Sequence, residues 1–300
     1  GCDTALALIQ QGVIKSRWIY SGDADAEWPS GFFSSDWPAH YSAICLPFTH
    51  GSVGDPAVVA ATVIYELKLH HYVLQLQRSG TPYAFHALGS SCALHSEAYA
   101  AVRGVPLRSA GEDFYLLNKL AKVGPIRSAR GCGVTLQSRR SERAPFGTGP
   151  AVSELLVAEH PTDVPIFYDA RCFNVLSAVL RGFNKWILES ELDPERDLRN
   201  RLDAPVANDL SELLTQWHYQ SAIEHIQRAA ATPEARQKHA DTWLDGFKLL
   251  KIIHLLRDRH YPNLTFQKSA ASPDQWPIQL PSQAPMQIRQ AVYEHLGWWS

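Results

Sequence analysis

Two pairs of carboxylates stand where α/β proteins do chemistry. Asp23-Ala24-Asp25 follows the short apolar run Arg17-Trp18-Ile19-Tyr20, and Glu112-Asp113 follows Gly111 at the head of an apolar helical stretch. A strand over 17–21 delivers the first pair to its C-terminal end, the edge at which open α/β sheets bind ligands. Carboxylates on alternate strand residues face the same side of a sheet. Such a pair suits a divalent cation, which neutralises a diphosphate and stabilises it as a leaving group. In the second pair one carboxylate is placed to act as a general base, taking a proton from an acceptor hydroxyl within hydrogen-bond reach. Each pair also has a plainer reading. Aspartate is common in turns, and carboxylates favour the first turn of a helix.

Other polar groups fall near these pairs. Gly89-Ser90-Ser91 makes a turn that either faces the same cleft or is an ordinary tight turn. Arg127, Arg130, Arg139, Arg140 and Arg143 crowd one stretch; arginine forks suit phosphate oxygens, and a solvated basic face is the alternative. Gly147-Thr148-Gly149-Pro150 follows as a flexible, closing segment. His70, His71, His86 and His95 lack metal-site spacing and read as structural or surface residues; His86 is singled out because it lies near the glycine-serine turn. Two rival activities use the same residues. A phosphoryl-transfer hydrolase would take Asp23 as nucleophile and Asp25 as acid, but Glu27 stands where that class wants Thr or Val. A non-catalytic sugar- or protein-binding module would use the aromatics of 28–37 and the Trp298-Trp299 end.

The elements that must position these groups alternate through the first half. A helix is expected over 3–12, with Ala5 to Ile9 as a broad buried face and Gly12 as its C-cap. An aromatic, proline-rich loop covers 26–40, a strand broken by Pro47 covers 42–48, and a long helix starts at Pro56 and runs to about Leu76. Strands are expected at 82–88, 92–94 and 134–136, with helices over 96–102 and from Glu112 to about Ala121, stopped by Gly124-Pro125. After Pro150 the texture changes: 151–190, 206–231, 233–260 and 284–297 all favour helix. Thr232 and Pro233 make a helix start. Trp243, Phe247, Leu250, Ile253 and Leu256 then form an apolar stripe. The proline-rich stretch 268–285 reads as a surface strap.

Composition bounds the setting. The chain has 300 residues, 45% apolar and 19% charged, with a net charge of -2. That is a globular composition with no bulk affinity for nucleic acid. Its five cysteines, Cys2, Cys45, Cys92, Cys132 and Cys172, form no CxxC and fit a reducing compartment, hence a cytoplasmic protein. No apolar run reaches transmembrane length, and a protein without a signal peptide is expected. The Asn263-Leu264-Thr265 sequon is read as chance. Because only one strand signal precedes the first acidic pair, the chain is expected to lack an N-terminal portion of its own domain.

Three stretches carry a likeness: WIYSGDADAEWPSGFF at 18–33, FHALGSSCALHSEAYAAVRG at 85–104 and GEDFYLLNKLAKVG at 111–124. In order and spacing the chain resembles family 2 glycosyltransferases of the GT-A fold. The resemblance implies an α/β catalytic domain over 1–150, a partial Rossmann-type mixed sheet, followed by a mostly helical accessory region over 151–300. It implies inverting sugar transfer from a nucleotide-sugar, with Mg2+ or Mn2+, to a small-molecule, lipid or glycan acceptor. Asp23 and Asp25 map onto the donor-diphosphate and metal pair, Asp25 as the more direct ligand. Asp113 maps onto the base, with Glu112 beside it, and Gly89, Ser90 and Ser91 onto the acceptor side. Arg139 and Arg140 join the candidate donor-binding set. They lie in Gln137-Ser138-Arg139-Arg140, a faint echo of the QxxRW signature of processive synthases, which is itself absent. A non-processive enzyme is the better expectation, with the helical half shaping the acceptor pocket or joining two copies in a homo-oligomer.

Overall fold

The fold was obtained as a computed structural model, which describes residues 1–30, 32–35, 37–108, 110–131, 133–140, 147–189 and 192–298. Arg143, Cys132 and Trp299 lie outside the described residues. The chain divides into two compact units. The first comprises Gly1–Val73, Phe85–Phe167 and Thr265–Ser300; the second comprises Leu74–Ala84 and Tyr168–Leu264.

The first unit is mixed α/β. Helix α1 (Cys2–Gln10) leads into β1 (Trp18–Ser21), β2 (Ala43–Cys45) and β3 (Phe48–His50). Helix α2 (Pro56–Ser79), which belongs to this unit as far as Val73, begins at Pro56, whose missing N–H costs nothing in a first turn. Then come β4 (Cys92–His95), α3 (Ser96–Ala101), α4 (Glu112–Val123), β5 (Ile126–Ser128), β6 (Val134–Leu136) and α5 (Thr148–Val157). A four-stranded sheet runs β1-β4-β2-β5, and β3 and β6 form a separate pair. Strand β4 is antiparallel to both β1 and β2, with Ser21 opposite Cys92, while β5 joins β2 in parallel. Strands β3 and β6 are parallel and put His50 opposite Leu136. The expected strand over 42–48 is therefore two strands, divided at Pro47. There Gly133 crosses so closely that a Cβ on it would lie 2.0 Å from the Pro47 carbonyl oxygen.

Two expectations fail locally. The stretch 82–88 forms turns and no strand. Helix α1 exists, yet none of its residues is buried, so its apolar side is only half covered. The core of this unit is Trp18, Ile44, Leu46, Phe48, Ala93 and Val134, joined from the far end of the chain by Tyr293 and Trp298.

The second unit is helical: α6 (Ala170–Leu188), α7 (Pro194–Arg201), α8 (Ala204–Gln216), α9 (Tyr219–Ala229), α10 (Pro233–Trp243) and α11 (Gly246–Arg259). Thr232 caps α10 by accepting from Ala235 N–H at 3.2 Å. The long helical stretches are split where the backbone must change course. Pro161 opens a short 3-10 turn ahead of α6, His218 adopts φ 55° between α8 and α9, and Asp245 caps α11. On α11 the buried line is Leu249, Ile252, Ile253 and Leu256, whereas Phe247 of the expected stripe is exposed. The chain then returns to the first unit through α12 (Phe266–Ala271), a 3-10 turn at Pro273–Gln275 with an extended stretch after it, and α13 (Pro285–Leu296). Among the described residues no helix is long and apolar enough to cross a membrane.

Candidate functional site

The first acidic pair does not sit on its strand. Strand β1 ends at Ser21, and Asp23 to Asp25 lie in the turn that follows, closed by Ala26 N–H on the Asp23 carbonyl at 3.2 Å. Alternation along a strand therefore does not align the two carboxylates. The turn is held by Gly22, where a Cβ would lie 2.0 Å from the Trp28 ring, and by Glu27, which pairs with Thr135 of β6. Asp23 is exposed. Asp25 is half-buried and ion-paired with Arg139, Oδ2 to Nη2 at 2.9 Å.

The glycine-serine turn and the second pair join that edge through a run of hydrogen bonds. Ser21 Oγ donates to the Gly89 carbonyl at 2.8 Å, and Gly89 N–H donates to Asp113 Oδ2 at 3.0 Å. Asp113 Oδ1 accepts from Phe114 N–H at 2.7 Å. Helix α4 can open there because Gly111, its N-cap, takes φ 72°, a left-handed conformation glycine adopts without strain. Gly89 comes so near that a Cβ on it would stand 3.1 Å from the Asp113 Cβ. Burial pushes the Asp113 carboxyl above the usual aspartate range. The N–H donors of Phe114 and Gly89 pull the other way, and the Glu112 charge adds to the rise. Glu112 itself is exposed.

Two adjoining cavities result. The larger, about 780 Å3, is lined among others by Asp113, Glu112, Gly89, Tyr65 and Phe114. The smaller, about 140 Å3, is lined by Asp25, Arg139, Gln137 and His50 among others. Asp23, Leu88, Ser90 and Thr148 line both. Asp25 and Asp113 thus stand in neighbouring chambers with a common wall. Ser91 is buried, and its carbonyl accepts from Leu46 N–H at 2.9 Å. Arg140 is exposed and lines neither cavity. Arg127 lies over the Tyr41 ring and Arg130 against Gly297.

His70, His71, His86 and His95 are all buried. His70 Nδ1 and His86 Nε2 share a hydrogen bond of 3.0 Å, and burial holds the His86 pKa well below the ordinary imidazole range.

Sequence reasoning overlooked the group beneath the smaller cavity. Glu66, fully buried in the middle of α2, accepts from His50 N–H and from the His50 ring at Nδ1, both at 2.8 Å on Oε2. On Oε1 it accepts from Arg289 Nε at 2.8 Å and from the Tyr293 hydroxyl, with His70 Nε2 at 3.5 Å. Burial alone would raise the Glu66 pKa. The hydrogen bonds from His50, with the His70 ring close by, outweigh it and hold the carboxyl well below its usual range. A signal was present: Glu66 is the one acid in α2, it follows the apolar stretch Val63-Ile64-Tyr65, and His70 follows one helical turn later.

Among the described residues no group of three or more His, Cys, Asp or Glu side chains is arranged to hold a metal ion. Asp23 and Asp25 supply hard oxygen donors at an open wall, the type and number with which Mg2+ is held when phosphate oxygens complete its shell. The donor set therefore fits a cation that arrives with a diphosphate and does not by itself enclose one. No family model, curated protein or solved structure matches this chain.

Proposed function

We propose that the first unit belongs to a metal-dependent inverting glycosyltransferase, moving a sugar from a nucleotide-sugar to an acceptor hydroxyl. One observation carries the reading. The three stretches that resemble the family meet through Ser21–Gly89–Asp113 hydrogen bonds, at the wall between two cavities. The mixed sheet supports a partial GT-A fold.

In this reading the smaller cavity receives the diphosphate. Mg2+ or Mn2+ held by Asp23 and Asp25 supplies charge neutralisation for the leaving group. Arg139 is close enough to Asp25 to turn toward a phosphate oxygen instead. The acceptor occupies the larger cavity. Its hydroxyl oxygen forms a bond to the sugar's anomeric carbon as the bond from that carbon to the diphosphate oxygen breaks. The hydroxyl proton passes to Asp113. Each Asp113 oxygen already accepts one backbone N–H and keeps a lone pair for this step. Its raised pKa strengthens it as a base, because a base works best when its pKa approaches the operating pH. Ser90, common to both chambers, stands where donor and acceptor meet.

The test is release of free nucleotide from UDP-, GDP- and dTDP-sugars with Mn2+, offered a panel of sugar and lipid alcohols. Asp113→Asn is expected to lower turnover by about 10²–10⁴-fold and to keep nucleotide-sugar binding. Turnover equal to that of the parent chain would remove Asp113 from the mechanism, and failure to bind any nucleotide-sugar would remove the mechanism.

A further inference from the structure

Strand β3 ends at His50, opposite Leu136, and β6 runs on into Gln137 and Arg139, so the two parallel strands deliver His50, Gln137 and Arg139 to one chamber. His50 is only 3% exposed, yet it lines that chamber. Its Nδ1 is committed to Glu66, and its backbone N–H goes to the same carboxylate oxygen. Glu66 is in turn clamped on its other oxygen by Arg289 and Tyr293. A ring held this way cannot turn over, because the partner of one nitrogen fixes the tautomer and orientation of the other. A carboxylate accepts only, so the proton of the neutral ring sits on Nδ1 and a lone pair sits on Nε2. Among the described residues nothing donates to that lone pair.

We propose that His50 Nε2 accepts a hydrogen bond from a ligand hydroxyl in the smaller cavity, making His50 a specificity-determining residue for the sugar portion of the donor. The inference rests on the glycosyltransferase reading and adds to it the group that reads the sugar. The chemistry selects the ligand class. A phosphate oxygen has no hydrogen to offer a bare lone pair, whereas a sugar or ribose hydroxyl does. The rest of the wall suits a polyol as well: Asp23 and Asp25 accept, Arg139 donates, and Ser90, Gln137 and Thr148 do either. Buried Glu66 acts through His50 and is a positioning residue.

Two variants separate reading from anchoring. His50→Asn keeps an N–H near the Nδ1 position, facing Glu66, and deletes the Nε2 acceptor. His50→Gln places an amide oxygen near the Nε2 position and gives up the Glu66 anchor. Calorimetry with Mn2+ would use UDP-, GDP- and dTDP-sugars and the matching nucleoside diphosphates. His50→Asn is expected to lower affinity about tenfold, the worth of one hydrogen bond, with the melting temperature little changed. His50→Gln is expected to keep most of the affinity at a lower melting temperature. A loss seen with nucleotide-sugars alone assigns the hydroxyl to the transferred sugar; an equal loss with nucleoside diphosphates places it on the ribose and overturns His50 as the reader of the transferred sugar. In the parent chain, 15N spectra of the histidine rings should show the His50 Nε2 signal of a hydrogen-bond acceptor shifting on ligand addition, and an Nε2 that carries a proton in the complex overturns the assignment. Equal affinity of His50→Asn and the parent chain, or an unmoved Nε2 signal with ligand bound, overturns the His50 assignment and leaves the transferase reading standing. A parent chain that binds no nucleotide overturns both.

Discussion

Two carboxylates of the first unit, Asp113 and Glu66, are pushed in opposite directions. Asp113 is only partly buried, yet its pKa is raised; Glu66 is wholly buried, yet its pKa is lowered. The difference lies in the donors. Asp113 has two neutral backbone N–H groups and an acidic neighbour, Glu112, whereas Glu66 has the His50 ring, the Arg289 guanidinium and a phenol. Burial sets the cost of a charge, and the number and charge of its donors decide whether the group remains ionised. The protein thus keeps one carboxylate poised to take a proton and another that holds its neighbours still.

The sharpest way to break the comparison is to empty its buried side. Glu66→Ala leaves the Arg289 guanidinium, itself 5% exposed, with neutral hydrogen-bond partners and no counter-charge. Removing one member of a buried pair costs about 3–5 kcal/mol, and urea denaturation should show a loss of that size. Adding Arg289→Met should recover part of it, because the two residues share one interaction. A Glu66→Ala variant as stable as the parent chain would mean that α13 is held by its apolar face and by its bonds to β3, Arg289 to the His50 carbonyl and Tyr293 to Thr49, without help from the carboxylate.

Asp113→Asn should do the reverse: a fall in turnover of about 10²–10⁴-fold, the range for a lost general base, with a change in stability of no more than about 1 kcal/mol, because relief of the partly buried charge is offset by the one backbone N–H that the amide nitrogen cannot accept. The two groups also predict opposite pH limbs. Above about pH 3.9 the unfolded Asp113 ionises before the folded one, so unfolding releases a proton and this group's contribution falls as pH rises. Below about pH 4.3 the unfolded Glu66 takes up a proton that the folded one refuses, so its contribution is lost as pH falls. Stability measured between pH 3 and 7 should therefore lose part of its acid limb in Glu66→Gln. It should lose part of its decline toward neutrality in Asp113→Asn.

What the sequence could show follows the same division. The turn at Asp23, the glycine-serine turn and the head of α4 are local features. Gly22, Gly89 and Gly111 mark them, because each needs either a left-handed backbone or a neighbour too close for a Cβ. The broken strand at Pro47 and the cap at Thr232 are legible for the same reason. The Glu66 cluster is not local: it joins β3, α2 and α13, and no periodicity places Arg289 on Glu66. The placement of α13 in the sheet-bearing unit was hidden likewise, since its amphipathic face does not name the element it covers. The expected strand over 82–88 failed because apolar residues with a proline and small neighbours serve a buried turn equally well.

Gly89→Ala tests how closely the mouth is fitted. The new methyl would press on the Asp113 Cβ at 3.1 Å, so Asp113 or the turn must yield by a few tenths of an ångström. Destabilisation of about 1 kcal/mol is expected, typical of a small overpacking change. Turnover should fall further than that loss implies, because misplacing a base by a fraction of an ångström is costly. Parallel measurement of melting temperature and nucleotide release would show the split, and equal losses would mean the turn has no role beyond packing.

The smallest stability effect belongs to the pair that most resembles Glu66–Arg289 on paper. Asp25 and Arg139 also form a carboxylate–guanidinium bridge, but their side chains are 37% and 39% exposed, against 0% and 5% for the buried pair. Water screens the exposed pair, and holding two side chains in one geometry offsets most of what remains. Asp25→Asn should therefore change stability by less than about 1 kcal/mol. Its consequence should appear in ligand binding instead. With one hard oxygen fewer and Arg139 released, nucleoside diphosphate affinity should become less dependent on Mn2+, and calorimetry with and without the ion reads this directly. If Asp25→Asn costs as much stability as Glu66→Ala, or leaves the Mn2+ dependence untouched, then Asp25 serves the turn and the cation has no place in the smaller cavity. The bridge would then be a surface clasp beside a binding site.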